Sequence, residues 1–421
     1  MSNTRQRIAV IGAGVSGLTA AWLLAEHHDV SLFEAGNYAG GHTNTRPVTL
    51  GGREWPVNTG FIVFNDWTYP NFIKLMDRLG VATEVSSMSF SVDSPANGLQ
   101  YNGTSLDTLF AQRRNLLNLP FLRMIREILR FNKETRADLA AGVLDDSETL
   151  GSYLDRKGYS RYFRSYYIVP MGSAIWSAPE IVLEQFPIRF FLQFFNNHGM
   201  LSVDDRPTWR VISGGSARYV DRMMERLGDH TFLNSPVDRV ERDEDGVTLT
   251  VNGDALRFDQ VVFACHSDQA LAMLADPTPD EVEVLAAIPY QDNDVVLHTD
   301  ASVLPSNRRA WAAWNYFIPR QPDEPVSVSY NMNILQNFQE APETLCVTLN
   351  RTRDIDPERI IERYSYSHPV FSLPAVAAQQ RYQDIGNRNR SHFCGAYWFN
   401  GFHEDGVRSA LRVTEAFGIG L

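Results

Sequence analysis

Ile8-Ala9-Val10-Ile11-Gly12-Ala13-Gly14-Val15-Ser16-Gly17 is the stretch that decides how this chain is read. Its first four residues are an apolar run that fits a buried parallel strand. The glycines that follow have separate uses. Gly12 permits a tight turn, Gly14 lets the backbone approach a pyrophosphate, and Gly17 lets helix and strand pack closely. Leu18 to Glu26 then carries Leu18, Ala21, Trp22 and Ala25 at helical spacing. Phosphates would sit on the N-terminus of that helix, where free N–H groups and the dipole favour anions. Asp29 to Phe33 reads as a second strand and ends in Glu34, 22 positions after Gly12, where an acid can hold a ribose diol. Strand, glycine turn, helix, strand and acid in this order predict an α/β, Rossmann-type dinucleotide-binding domain.

The rest of the chain sets limits. Its 421 residues are enough for two domains. A net charge of −12 argues against nucleic-acid binding. Cys265, Cys346 and Cys394 are too sparse for a disulfide framework, and no CxxC or HxxxH pairing suggests a metal site. The longest apolar candidate, Ile8 to Ala25, is interrupted by Gly12, Gly14 and Gly17. It is therefore read as the dinucleotide unit and not as a leader, with the cytoplasm as the expected compartment.

After Glu34 the chain runs through Ala35 into Gly40-Gly41-His42-Thr43. An acid, a short spacer and a glycine pair resemble the amine-oxidase superfamily, and that resemblance implies FAD; Cys394 lies in a strand before the turn, out of place for the usual covalent linkage, so the FAD is expected to be noncovalent. Three later stretches resemble it too. They are Trp209 to Met223 with Gly214-Gly215, Asn234 to Val240, and Phe258 to His266, the last read as a strand returning to the sheet. The C-terminus adds a strand at His392–Tyr397, the turn Gly401–Gly406, and a helix expected over Val407–Phe417 with Asp405 as a cap. In relatives this helix points its N-terminus at the flavin N1–C2=O edge. Relatives carry an acid where this chain has Ala396, and Glu404 is considered as its substitute.

Carried over residue by residue, the resemblance implies cofactor contacts from Gly12, Gly14, Val15, Ser16, Gly17, Glu34 and Ala35. Gly40, Gly41, His42, Thr43, Asn58, Thr59 and Gly60 follow, then Val237 and Glu404, Asp405, Gly406 and Val407. The cofactor domain is expected to be discontinuous, over 1–75, 205–285 and 385–421. An interleaved α+β substrate domain takes 76–204 and 286–384.

Four phrases resemble a narrower bacterial subgroup of predicted NAD/FAD-binding oxidoreductases. They are Pro170 to Ser177, Asn196-Asn197-His198-Gly199, Trp311 to Tyr316, and His403-Glu404-Asp405-Gly406. Related members desaturate methyl-branched acyl chains in furan fatty acid synthesis and are encoded beside lipid methyltransferases. The resemblance thus implies a lipid substrate and a methyltransferase as pathway partner.

Two stretches bear on lipid from the residues alone. Asn118-Leu119-Pro120 starts a helix whose apolar row is Phe121, Leu122, Ile125, Ile128 and Leu129, with Arg123, Arg126, Arg130 and Lys133 on another face. Over 118–136 this is either a membrane-surface helix, giving peripheral association at the cytoplasmic face, or a packed helix with a solvated basic side. Phe190, Phe191, Phe194 and Phe195 form a stripe that is either core or the wall of an acyl tunnel.

Flavin chemistry that forms a double bond also releases a proton, so a histidine base is sought. His403 ranks first and His42 second; His198, His266 and His298 are further candidates, with Trp314 and Tyr330 as pocket residues. No lysine falls in a matching motif, which favours carbon–carbon desaturation over oxidation of an amine. Oxidation of an amine or other small molecule, and an auxiliary non-catalytic flavoprotein, stay open. An NAD(P)H-dependent reductase is disfavoured by the single GxGxxG unit.

Overall fold

The computed structural model describes residues 5–319 and 325–421. Arg7–Ile11 is the central strand of a five-stranded sheet, because Ile8, Ala9 and Val10 are apolar on both faces and fully buried. The strand order is Thr231–Phe232, Asp29–Phe33, Arg7–Ile11, Gln260–Phe263, Ser391–Phe393, and every pairing is parallel. Strands from the start, middle and end of the chain therefore meet in one sheet. Val15–Leu24, helical directly after Gly14, packs on this sheet with all ten residues buried. It begins three residues before the helix expected from Leu18, since Val15, Ser16 and Gly17 already form its first turn.

The C-terminal helix, His403–Glu415, lies against Val15–Leu24. It too begins earlier than expected, by four residues. Asp405 is not its N-cap; it occupies the third helical position, and its carboxylate accepts the Phe402 N–H at 3.0 Å.

A second sheet has seven strands, ordered Ile360–Pro369, Tyr290–His298, Cys346–Leu349, Ser327–Asn331, Trp314–Phe317, Phe90–Ser94, Leu99–Asn102. Its pairings are antiparallel except that of Trp314–Phe317 with Phe90–Ser94. A helical layer joins it, with Leu119–Ala141 and Ile188–Asn197 in one apolar core.

Leu119–Ala141 is capped by Asn118, whose side chain accepts the Phe121 N–H. Its buried face is Phe121, Met124, Glu127, Phe131 and Thr135, while Leu129 is exposed. This differs from the apolar row read from the sequence because Glu127 turns inward, where its carboxylate accepts the Ser160 N–H and hydroxyl. Arg130 also leaves the basic face. Its guanidinium lies 4.0 Å from the Tyr159 ring centroid and donates to the Lys157 carbonyl. Among the described residues, no helix is long and apolar enough to cross a membrane.

Candidate active site

A cavity of about 820 Å³ runs from the carboxyl ends of the parallel strands to the seven-stranded sheet. Its first end is backbone. Gly12 has φ +101°, and a Cβ there would lie 2.9 Å from the Ala264 carbonyl oxygen. At Gly17 a Cβ would lie 1.9 Å from the Gly12 oxygen, so helix and turn touch. Gly14 is different: nothing lies within 4 Å of the position its Cβ would take. That space adjoins the helix N-terminus and fits a pyrophosphate. Gly14 also bridges Gly40, whose N–H donates to Ala13 O at 2.7 Å.

The Glu34 carboxylate accepts the N–H groups of Ala13, at 2.7 Å, and Gly36, at 2.8 Å. These bonds aim it at the cavity from the end of its strand. Ala35, Ser235, Pro236 and Val237 line the same end. Gly406 lets the C-terminal helix close over the glycine turn, since a Cβ there would lie 2.6 Å from Val15 Cγ1.

Of the residues read from the sequence, Gly12, Gly14, Val15, Ser16, Glu34, Ala35, Gly40, Gly41, His42, Gly60, Val237 and His403 line this cavity. Others stand behind it. Gly17 and Val407 are packed in the surrounding core. Asn58 accepts from Thr45 and from the Ser216 N–H. Thr59 meets the Tyr366 hydroxyl at 2.9 Å, and Thr43 meets Tyr219 at 2.6 Å. Glu404 points away, accepting from Asn71 and from the Phe72 N–H at the start of the helix Pro70–Leu79. Burial pushes Asp405 up to about 7.

The far end is built from side chains. Ile62, Ile175, Trp176, Trp314, Tyr330, Phe371 and Phe402 line it. The stripe of Ile188–Asn197 supports this wall from outside, with Phe190 4.9 Å from Phe371 and Phe194 5.0 Å from Phe402, centroid to centroid. Among the described residues that line the cavity, Glu34 is the one charged side chain.

Three candidate histidines meet here, joined by one that the sequence reading missed. His403 stacks on Phe61 at 3.5 Å, and its Nε2 is 2.9 Å from Thr43 Oγ1; burial pushes it down to about 3. His42 lies against Tyr366 and His368, at 4.8 and 5.4 Å. Its buried Nε2 has no hydrogen-bond partner among the described residues, and desolvation holds it well below the usual histidine range. His266 stacks on Tyr290 at 4.2 Å. His368 is the missed one. Its Nδ1 takes the Asn293 amide at 3.3 Å and lies 3.1 Å from Ser177 Oγ. The available signal was the alternation Tyr364, Tyr366, His368 along one strand. His198, bonded to Thr68 and Phe194 O, and His298, bonded to Thr348, lie outside the cavity.

The "Flavin containing amine oxidoreductase" family matches residues 15–329. The chain belongs to that family. A flavin-containing amine oxidase A from Canis lupus familiaris is 26% identical over 270 residues, which are 61% of this chain and 49% of that protein. An L-amino-acid oxidase from Siganus canaliculatus is 23% identical over 312 residues, 71% of this chain and 58% of that protein. The chain thus spans about half the length of the curated relatives it matches. The fold is shared with cyclohexylamine oxidase from Brevibacterium oxydans, at TM-score 0.71, 18% identity and 98% coverage of both chains. It is shared as well with a CLA-producing fatty acid isomerase from P. acnes, at TM-score 0.71, 16% identity, and 99% and 100% coverage.

FAD is the cofactor expected of this family. The open face of Gly14, the aimed Glu34 carboxylate and the long cavity fit it.

Proposed function

We propose that this flavin oxidoreductase removes hydrogen from an apolar carbon chain, a methyl-branched fatty acyl group or similar lipid. The observation that carries this reading is the far end of the cavity, where aliphatic and aromatic side chains offer a chain contact but no counter-ion. Bound FAD supplies a two-electron acceptor. The protein's own residues hold the chain, exclude water and receive the proton that leaves with the second C–H bond. His403 has its Nε2 committed to Thr43, whereas His42 Nε2 is unengaged, so His42 is the proton acceptor in this reading. The likeness to a fatty acid isomerase supports a fold that accommodates acyl chains. The subgroup phrases support placement beside a lipid methyltransferase, whose methyl-transfer chemistry would supply a branched substrate.

Oxidation of a small amine is the second reading, favoured by the names of the relatives. Anaerobic visible spectroscopy separates the two. The flavin band should bleach with a detergent-solubilised methyl-branched acyl phospholipid and persist with simple amines or NADPH. Bleaching by amines alone would replace the acyl reading. A band that none of them bleaches would favour an auxiliary flavoprotein.

A further inference from the structure

Four exposed leucines gather around the turn before the long helix. Leu117 is 88% exposed, Leu106 77%, Leu119 76% and Leu116 52%. They lie on two short helical turns, Leu106–Leu109 and Arg113–Leu117, and on the first residue of Leu119–Ala141. Asn115 is the buried residue of the middle turn, which leaves Leu116 and Leu117 facing outward.

Exposed arginines flank them along the chain. Arg113, Arg114, Arg123 and Arg126 come from the same stretch. The fold adds Arg308 and Arg309, both exposed, because Asn307 donates its amide to the Ala111 carbonyl at 3.0 Å. Two acids face this group. Asp107 is paired with Arg113 at 2.5 Å and also feels Arg309, while Glu127 is buried on Ser160, with Arg123 3.4 Å away. Six arginines against these two acids stand out on a chain whose net charge is −12.

We infer that this leucine-tipped arginine patch docks on an anionic lipid surface. The leucines would enter the boundary of the acyl chains while the arginines meet headgroup phosphates. A lipid surface fits better than a protein groove because the leucines sit on a convex turn, and a bilayer deforms around such a tip without a matching pocket. The purpose of docking, delivery of an acyl chain, rests on the function proposed above; the binding does not.

The FAD-loaded protein should therefore sediment with vesicles of mixed phosphatidylcholine and phosphatidylglycerol, and at least tenfold less with phosphatidylcholine alone. Raised salt should weaken it. Leu116→Ser/Leu117→Ser/Leu119→Ser should lose about tenfold or more. Arg123→Glu/Arg126→Glu should lose roughly fivefold or more per arginine. Both variants should keep the wild-type flavin spectrum, which shows they are folded. Equal binding by the leucine variant, or no vesicle binding by the wild type, would overturn the proposal and leave the patch as a protein-docking surface. Because no turnover is measured, this outcome is independent of which substrate bleaches the flavin.

Discussion

The two ends of the cavity are made of different material. The dinucleotide end is backbone: Gly12, Gly14, Gly40 and Gly41 shape it, and Glu34 gives it one charge. The far end is side chain, and Ile62, Ile175, Trp314, Tyr330 and Phe371 reach it from distant segments. A wall of backbone fixes one ligand shape and leaves no room for a side chain beside the bound ligand. A wall of side chains can be retuned one residue at a time. Cofactor identity should therefore fail sharply at the first end, and substrate selectivity should change gradually at the second.

Gly14→Val tests the sharp case and should give the largest effect. Gly14 has φ −72°, which any residue adopts, and no protein atom stands where its Cβ would go. The apoprotein should fold normally while FAD affinity falls about 100-fold or more, about 2.7 kcal/mol. Titration of apoprotein with FAD, beside a thermal melt, measures both. Full flavin occupancy in this variant would mean the phosphates do not lie at this turn.

Glu34→Ala comes next. Hydrogen bonds to an ionised group contribute about 1.5–3 kcal/mol, so FAD affinity should drop roughly ten- to hundredfold. Unchanged affinity in the same titration would remove the ribose role from Glu34.

These two ends also differ in how far the sequence revealed them. Glu34 and the glycines were legible because one contiguous run holds strand, turn, helix and acid, each with its own local period. The start of the C-terminal helix was not. His403 and Glu404 read as polar loop, yet one is buried on Phe61 and the other caps Pro70–Leu79, more than 300 positions away. His368 went unnoticed for a related reason. Alternation marks one face of its strand, but nothing local says which cavity that face meets. The basic helix was legible as a helix. Its inward-turned Glu127 and the contribution of Arg308 and Arg309 depend on tertiary contacts.

Ile175→Ala probes the gradual end. Trimming an apolar wall should lower kcat/KM for flavin reduction by the acyl phospholipid roughly tenfold while FAD occupancy stays at the wild-type level. An equal loss of FAD would show that the two ends do not act separately.

The smallest effect concerns His403, beside Phe61 and Phe402 on the cavity wall. Its imidazole is pushed down to about 3, against an ordinary 6.5, because burial opposes the charged form. Below pH 6.5 the unfolded chain therefore binds a proton that the folded protein refuses. The stability that the neutral ring confers is complete above pH 6.5 and is lost as pH falls toward 3, with a slope of at most about 1.4 kcal/mol per pH unit. Asp405, pushed up to about 7, works in the opposite sense, costing stability as pH rises from about 4 to 7. A single melting curve would mix the two, but a comparison with His403→Phe cancels Asp405. Whatever the variant costs at pH 7, the gap between its melting temperature and that of the wild type should shift in the variant's favour by up to about 1.5 °C per pH unit below pH 6.5. A gap that stays constant would mean that His403 takes up protons in the folded state. Its stacking on Phe61 would then leave the ring open to protons from the cavity side.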